Sequence, residues 1–120
     1  YDPTNIFARL LRQEIPCKKI SENDYYVAFH DLYPQAPIHI LIIPKGSYQD
    51  ASDFHAHASP QEIVGFYQGV EEVIQTLPLD KGYRLITNRG EFGGQEIPHY
   101  HLHLLGGEKL GPMLSHQAKE

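Results

Sequence analysis

Apolar residues recur along this chain at two spacings, which predict helices in two segments and strands in several others. The clearest helical segment is "SPQEIVGFYQGVEEVIQTL", in which apolar residues follow one another three and four positions apart. Ser59 and Glu62 have the spacing of a capping box at its start. Pro60 suits the first helical position, and Pro78 ends the pattern. These signals predict one long amphipathic helix.

A second, shorter helix is predicted near the start of the chain, in "TNIFARLLRQEIP". Thr4 suits the N-cap position, and Pro16 lies beyond the end of the pattern. The apolar face of this helix consists of Ile6, Phe7, Leu10 and Leu11.

Short apolar segments bounded by turn residues predict strands over residues 18–21, 25–30, 38–44 and 81–88. The glycine-rich loop "RGEFGG" follows the last of these and precedes a fifth strand, which carries three histidines. Two helices and about five strands predict an antiparallel α+β domain, because a parallel sheet needs more crossover helices than this pattern provides.

Two glycines lie beside the apolar face of the long helix. Gly65 and Gly69 each cost roughly 0.8 to 1 kcal/mol relative to Ala inside a helix. Together with Thr76 they form a smooth strip, which favours the close approach of another backbone.

The most unusual feature of the sequence is a histidine at every second residue of "HYHLHLLGG". On a β-strand, His99, His101 and His103 share one face, while the residues between them point to the other. His39, in the strongly apolar segment "APIHILIIPK", is a candidate fourth imidazole for the same site.

Such a cluster has three interpretations. Three or four imidazole nitrogens bind zinc; alternatively, a neutral imidazole attacks phosphorus while a protonated one donates to a leaving group. The third interpretation is structural, with each ring satisfied by hydrogen bonds on a hydrated face. Gly90, Gly93 and Gly94 favour phosphoryl chemistry, because a glycine-rich loop turns backbone N–H groups toward an anion beside the nucleophile.

Composition narrows the class of protein. The length of 120 residues predicts a single domain, residues 1–120, and the net charge of −5 argues against a nucleic acid polymer as partner. The single cysteine, Cys17, allows no intramolecular disulfide, and no apolar run is long enough to cross a membrane. We therefore predict a cytoplasmic protein without a membrane partner.

The run from His99 to Leu105 resembles the signature of the histidine-triad (HIT) superfamily, His-φ-His-φ-His-φ-φ with φ apolar. Further segments resemble the Hint branch, particularly its bacterial members: "NIFARLLRQEIP", "AFHDLYPQAPIHILIIPK", "KGYRLITN", "GGQEIPHYHLHLLGG" and the tail "LGPML". Gly106 and Gly107 favour Hint over the diadenosine polyphosphate hydrolase branch.

This resemblance implies an enzyme that needs no cofactor and hydrolyses purine nucleoside phosphoramidates, of the AMP-lysine or acyl-adenylate kind, to a purine nucleoside monophosphate. It implies His101 as the nucleophile that forms a nucleotidyl-histidine intermediate. His103 is then expected to hydrogen-bond the phosphate. His99, coupled to His39, is expected to help move a proton to the leaving amine.

The resemblance also implies a nucleotide pocket. Asp31 matches the acid that accepts the ribose hydroxyls, and a turn-forming role before Pro34 is the less favoured alternative. Glu96 stands where many eukaryotic members have Ser, and we expect its backbone N–H to face the phosphate. Pro98 replaces the aromatic residue common before the first histidine. The nucleotide-binding residues expected are Ile6, Phe7, Phe29, His30, Asp31, Leu32, Asn88, Gly94, Gln95, Glu96 and Ile97.

Three further expectations concern metal, assembly and the alternative function. A nucleophilic imidazole needs a free lone pair, which predicts no stoichiometric zinc. Gly65 and Gly69, together with the resemblance, imply a two-fold homodimer that pairs the long helices and extends the HIT-like sheet through the 81–88 strand. Residues 108–120 are expected to form an extended C-terminal tail reaching the partner's site. The alternative function is a non-catalytic nucleotide- or zinc-binding interaction module.

Overall fold

A computed structural model of the chain describes residues 1–114. Its centre is one antiparallel sheet with the strand order β1-β2-β3-β5-β4. The strands are β1 (Lys19–Glu22), β2 (Tyr26–His30), β3 (Ile38–Pro44), β4 (Tyr83–Ile86) and β5 (Leu102–Gly106). The antiparallel α+β class is therefore confirmed. The bounds of β3 are those expected, whereas β4 is shorter than its 81–88 prediction and ends before the glycine-rich loop.

Residues 1–114 contain four helices rather than the two expected: α1 (Ile6–Leu11), α2 (Ala51–His57), α3 (Pro60–Gln75) and α4 (Gly90–Gly93). The sequence pattern did not predict α2, because this helix buries a single large side chain, Phe54, and therefore has no apolar periodicity. The start of α3 follows its end almost directly, so α2 has no separate stop signal. α4 is a single turn inside the segment predicted as a loop. Among the helices of this part of the chain, none combines the length and apolar character of a membrane span.

The cap of α3 agrees with the sequence, and the cap of α1 differs by one residue. Ser59 and Glu62 form both hydrogen bonds of the predicted capping box. At α1, however, Asn5 rather than Thr4 is the N-cap, and its side chain accepts the N–H of Ala8 at 2.9 Å. Thr4 is engaged by Asp2 instead, because its N–H and hydroxyl both donate to that carboxylate.

The alternation of side chains along the central strands divides the core into two layers. Even-numbered residues of β3, such as Ile40 and Ile42, pack with Phe66 and Val73 of α3. Odd-numbered residues, such as Leu41, pack on the opposite face with Phe7 of α1, together with Val27, Phe29 and Ile43. The odd-numbered face also carries His39 and His103, so the functional site is expected under α1.

The histidine strand is shorter than expected. β5 begins at Leu102, so His99 and His101 precede it, which corrects the prediction of three imidazoles on one strand. The backbone here pairs with other partners: the N–H of His99 donates to Ile97, and the N–H of Tyr100 donates to Tyr48. Only His103 lies in the ladder, directly opposite Leu41 of β3.

The glycines of α3 are covered by aromatic side chains of the same chain. A Cβ atom on Gly69 would lie 2.1 Å from the ring of Tyr26, and one on Gly65 would lie 2.1 Å from the ring of Tyr25. The close approach predicted for this strip therefore exists, but the partners are the side chains of Tyr25 and Tyr26, at the start of β2, rather than another backbone. Gly65 and Gly69 therefore no longer support a homodimer that pairs the long helices.

Replacing Gly69 with Ala should destabilise the fold by about 1–3 kcal/mol, because the new methyl group overpacks a ring that the core holds fixed. Denaturant unfolding of the variant measures this loss. Gly111→Ala is the matched control, since a Cβ there meets nothing within 4 Å. Equal unfolding free energies for the two variants would contradict the packing described.

Candidate active site

A cavity of about 530 Å³ opens on the α1 face of the sheet. All eleven residues predicted to bind a nucleotide line this cavity, and so do His101 and His103. His39 and His99 are not among the lining residues, and both are buried behind its wall. The structure therefore gathers the predicted pocket in one place but separates the four histidines into two that face it and two that support it.

The hydrogen bond of His101 identifies which nitrogen of its ring is free. Its Nδ1 lies 2.7 Å from the backbone carbonyl of His99. A carbonyl only accepts, so Nδ1 carries the proton and donates it. The neutral ring then has its lone pair at Nε2, for which residues 1–114 provide no hydrogen-bond partner. This side chain thus offers a nucleophilic nitrogen toward the cavity.

His103 has the opposite arrangement, which is fixed through His39. The backbone N–H of Gln35 donates to Nδ1 of His39 at 3.0 Å, so the neutral His39 ring carries its proton on Nε2. That Nε2–H donates to Nδ1 of His103 at 2.9 Å. His103 consequently carries its own proton on Nε2. The site therefore presents one acceptor nitrogen, on His101, beside one donor nitrogen, on His103, with ring centroids 5.2 Å apart.

Asp31, which follows β2 directly, contributes to the hydrogen bonds that connect Gln35, His39 and His103. One carboxylate oxygen lies 3.4 Å from Nε2 of His39, and the other accepts the backbone N–H of Tyr33 at 2.8 Å. Asp31 therefore caps its own turn, as the turn-forming interpretation expects, and it also lines the cavity. Its role in ribose binding stays a prediction.

The expected coupling between His99 and His39 is wrong. His39 pairs with His103, whereas His99 uses Nε2 to contact the carbonyl of Pro44 at 2.9 Å and Nδ1 to contact the hydroxyl of Tyr1 at 2.6 Å. The physical reason is parity and register: His39 and His103 lie on one face of adjacent strands, while His99 lies beyond the end of β5. With both nitrogens engaged inside the protein, His99 is poorly placed to deliver a proton to a ligand.

All four rings favour the neutral state. Burial lowers the pKa of His99 to about 4, against the opposing hydrogen bond to Pro44. Burial, followed by the neighbouring His101 and His39, lowers the pKa of His103 to about 4. Burial also lowers the pKa of His101 and of His39. At neutral pH the free site therefore holds uncharged imidazoles with the proton positions given above.

The glycine-rich loop is held by the two amides expected to contact phosphate. Asn88 donates its side-chain N–H to the carbonyl of Gly93 at 2.7 Å. The side chain of Gln95 accepts the N–H of Gly90 and donates to the carbonyls of Gln49 and Ile97. Both amides are thus occupied in shaping the loop beside the cavity, which the exposed Glu96 also lines.

Several lining residues were not predicted from the sequence. Lys18 contributes a cationic side chain, and Tyr33 and Gln35 come from the turn that follows Asp31. Gln35 acts on His39 through its backbone N–H, so no side-chain pattern could have indicated it. Tyr1 gave no signal either, because its contact with His99 spans 98 positions of sequence.

The same cluster contains donors that suit a metal ion. Asp31, His39 and His103 each offer one ligand atom, and these atoms lie within 4.8 Å of one another. Two of them, on His39 and His103, are already joined by a direct hydrogen bond, which an ion between them would have to replace. The absence of zinc stays a prediction.

The comparisons with a family model, with known sequences and with solved structures agree on one family. The model of the HIT domain matches residues 12–110. An uncharacterized HIT-like protein of 13.2 kDa from Azospirillum brasilense is 52% identical over 116 residues, covering 96% of this chain and 95% of that protein. The purine nucleoside phosphoramidase of Escherichia coli K12 is 44% identical over 115 residues, covering 93% of this chain and 94% of the enzyme. The structure of a HIT family hydrolase from Clostridium thermocellum superposes with a TM-score of 0.84 at 33% identity, covering 95% of this chain and 99% of that one.

The lowered histidine pKa values predict how stability depends on pH. Histidine in the unfolded chain has a pKa of about 6.5, so below this pH the unfolded chain binds protons that the buried rings of the folded chain do not bind. The contribution of these rings to the free energy of unfolding is therefore full above about pH 6.5 and falls as the pH drops toward 4. Unfolding free energies measured from about pH 7 to pH 5 should show this loss. His103→Asn should reduce the slope by up to about 1.4 kcal/mol per pH unit. The exposed His57→Asn serves as control, and equal slopes in His103→Asn and wild type would contradict the assignment.

Proposed function

The chain belongs to the HIT family, and on that premise we propose that it is a nucleotide hydrolase that cleaves the P–N bond of purine nucleoside phosphoramidates. The single observation that supports this best is the free Nε2 of His101 beside the Nε2–H of His103. A phosphoryl group requires both functions, a nucleophile for phosphorus and a proton for the leaving nitrogen. The match to the phosphoramidase of Escherichia coli supports the same reaction class.

In the first step, Nε2 of His101 attacks phosphorus, and a bond from this nitrogen to phosphorus forms as the bond from phosphorus to the amine nitrogen breaks. The attacking ring becomes positively charged, and the carbonyl of His99, which accepts its Nδ1–H, stabilises that charge. The departing electron pair stays on the amine nitrogen, which needs a proton because an amide anion is a very poor leaving group.

His103 supplies that proton. In the free site its ring is neutral, but a bound phosphate anion raises the pKa of the adjacent imidazole and favours its protonated form. The second proton is taken up at Nδ1 from solvent, and the Nε2–H of His39, displaced from that nitrogen, turns to the carboxylate of Asp31, 3.4 Å away. His103 then gives its Nε2 proton to the amine and returns to the neutral state. In the second step the same nitrogen takes a proton from water, the hydroxide attacks phosphorus, and the bond to His101 breaks. The products are the amine and a nucleoside monophosphate, and every proton is accounted for.

The rest of the cavity suits the nucleoside. Phe7 and Phe29, in edge-to-face contact with ring centroids 5.7 Å apart, form part of an apolar end for the base. The carboxylate of Asp31 is suited to accept hydrogen bonds from the ribose hydroxyls. The loop around Gly94, where φ is +78°, turns the backbone toward the phosphate end.

We also propose that the protein works as a homodimer. β4 is an edge strand of the sheet, and its outward residues Tyr83 and Leu85 are exposed. An exposed edge with apolar side chains favours pairing with a second copy, which would continue the sheet. The tail from 108 onward leaves the sheet beside this edge, where Arg84 donates to the carbonyls of Gly111 and Pro112. Residues 115–120 of that tail lie outside the described residues, so its reach into a partner's site stays a prediction.

His101→Ala should abolish turnover of an adenosine phosphoramidate while leaving nucleotide binding largely intact, because the apolar end, Asp31 and the loop remain. His101→Asn should behave in the same way. Steady-state kinetics and calorimetry with AMP measure the two properties, and the exposed His57→Ala is the control. Rapid quenching without acid, followed by peptide mass analysis, should show one nucleoside monophosphate on the peptide containing His101. An inactive wild-type protein that binds AMP would indicate a binding module instead.

His103→Ala should slow substrates with strongly basic amines by about 10² to 10⁴-fold and affect substrates with acidic leaving groups much less, because only the former require the proton. His39→Ala should follow in the same direction, since it holds the Nδ1 side of His103. A series of phosphoramidates of graded amine basicity measures the dependence. Should His99→Ala show the steep dependence while His103→Ala does not, the proton path assigned to His103 is wrong.

A further inference from the structure

The chain segment before α1 folds back toward the buried side of the histidine cluster. Asp2 accepts the N–H of Thr4 at 2.9 Å, and the carbonyl of Asp2 accepts the side-chain amide of Asn5 at 2.7 Å. Arg12, the C-cap of α1, donates to the carbonyl of Pro3 at 2.9 Å. These bonds fix a compact turn over residues 1–5, which we call the N-terminal turn, and this turn places Tyr1 against His99.

Tyr1 completes the hydrogen bonding of His99. The phenol oxygen lies 2.6 Å from Nδ1, and the two rings meet edge to face with centroids 5.7 Å apart. Nε2 of His99 must carry the ring proton, because its partner is the carbonyl of Pro44. Nδ1 is therefore an acceptor, and the phenol O–H is the donor. His99 is fully buried, so without this hydroxyl its Nδ1 lone pair has no protein donor in the part of the chain that the structure describes.

His99, held in this way, determines which nitrogen of His101 carries the proton. The backbone carbonyl of His99 accepts the Nδ1–H of His101 at 2.7 Å and so leaves the lone pair of that ring on Nε2. Both side-chain nitrogens of His99 are held, by Tyr1 and by the carbonyl of Pro44, and this anchoring restrains the backbone that carries the carbonyl. The contacts thus run from the N-terminal turn, through one buried imidazole, to the proposed nucleophile.

We propose that Tyr1 is a positioning residue, whose phenol O–H holds His99 as its neutral Nε2–H tautomer and thereby keeps the Nε2 lone pair of His101 available for attack on phosphorus. This inference rests on the proposed function for its kinetic consequence, whereas its structural part stands on the geometry alone. Tyr1 does not touch the cavity and acts entirely through His99.

The pH dependence gives a specific signature. The titratable groups that face His99 are Tyr1, from the N-terminal turn, and His101, from its own segment; α1 contributes only the ring of Phe7, and β3 only the carbonyl of Pro44. Loss of the phenol donor removes the hydrogen bond that stabilises the unprotonated Nδ1. His99 in the variant should therefore gain its proton at a higher pH than in the wild type, and activity should be lost from that pH downward.

The test compares Tyr1→Phe with wild type in the full chain. Phenylalanine keeps the edge-to-face ring contact and removes only the donor. Tyr25→Phe is the matched control, because it removes a phenol that also makes a hydrogen bond, to Gln61, beside Gly65 and away from the cavity. We expect Tyr1→Phe to lower kcat about 3- to 10-fold, the factor that corresponds to one net hydrogen bond, with KM nearly unchanged.

Two readouts separate positioning from a general loss of stability. In ¹⁵N spectra of imidazole-labelled protein, Nδ1 of His99 should carry the shift of a hydrogen-bonded acceptor in the wild type and lose that character in Tyr1→Phe. The acid limb of the pH–kcat profile should move to higher pH in Tyr1→Phe and stay in place in Tyr25→Phe. Asp2→Ala, which loosens the N-terminal turn, should shift the limb in the same direction by a smaller amount.

The outcomes distinguish this inference from the function on which it rests. If the wild type turns over a phosphoramidate and Tyr1→Phe matches it in kcat and pH profile, the positioning role is overturned while the hydrolase stands. A lowered melting temperature with superimposable pH profiles also overturns it. If the wild type turns over no phosphoramidate, the proposed function fails, and the ¹⁵N shifts of His99 and His101 still decide whether Tyr1 fixes the tautomers.

Discussion

Backbone groups decide which nitrogen of His101, His99 and His39 carries the proton, and His39 passes this choice on to His103. The chemistry available to the cluster depends on that choice. A carbonyl accepts from His101, another carbonyl accepts from His99, and an amide N–H donates to His39. Neutral imidazole has two nearly equivalent tautomers in water, so an unsupported cluster would be a mixture of acceptors and donors. Fixed hydrogen-bond partners select one tautomer for each ring and leave an acceptor nitrogen on His101 beside a donor nitrogen on His103.

Those backbone partners are in place because of the sheet and its two faces. The register of β3 against β5 places His39 two residues from Leu41, the residue opposite His103, so both histidines lie on the same face, and the antiparallel ladder fixes that offset. The opposite face is packed by Phe66 and Val73 of α3, which holds the two strands as a rigid layer. The apolar core therefore serves the site indirectly, by limiting how far either histidine moves relative to the other.

Much of the fold was predictable from residues whose signals are local. The period of α3, its capping box and the apolar strand over 38–44 depend on neighbours within a few positions, and these predictions were correct. The cavity lining also followed from the sequence, through its resemblance to a known family. What sequence reasoning missed depends on long-range contacts: the bond from His39 to His103 spans 64 positions, and the bond from Tyr1 to His99 spans 98. Neither pairing has a periodicity or composition that could reveal it.

The electrostatics of the site bear on the reaction that we propose. The chain carries a net charge of −5, which is the basis of the prediction that a nucleic acid polymer is not a partner, and burial keeps the clustered imidazoles neutral in the free protein. In the proposed reaction, the charge of a phosphate in the cavity lies close to His103 and makes protonation of that ring favourable there. The positive charge required by the leaving group is then created by binding of the substrate. On this proposal, burial of the rings both preserves the nucleophile in its neutral form and ties the acid form of its neighbour to an occupied site.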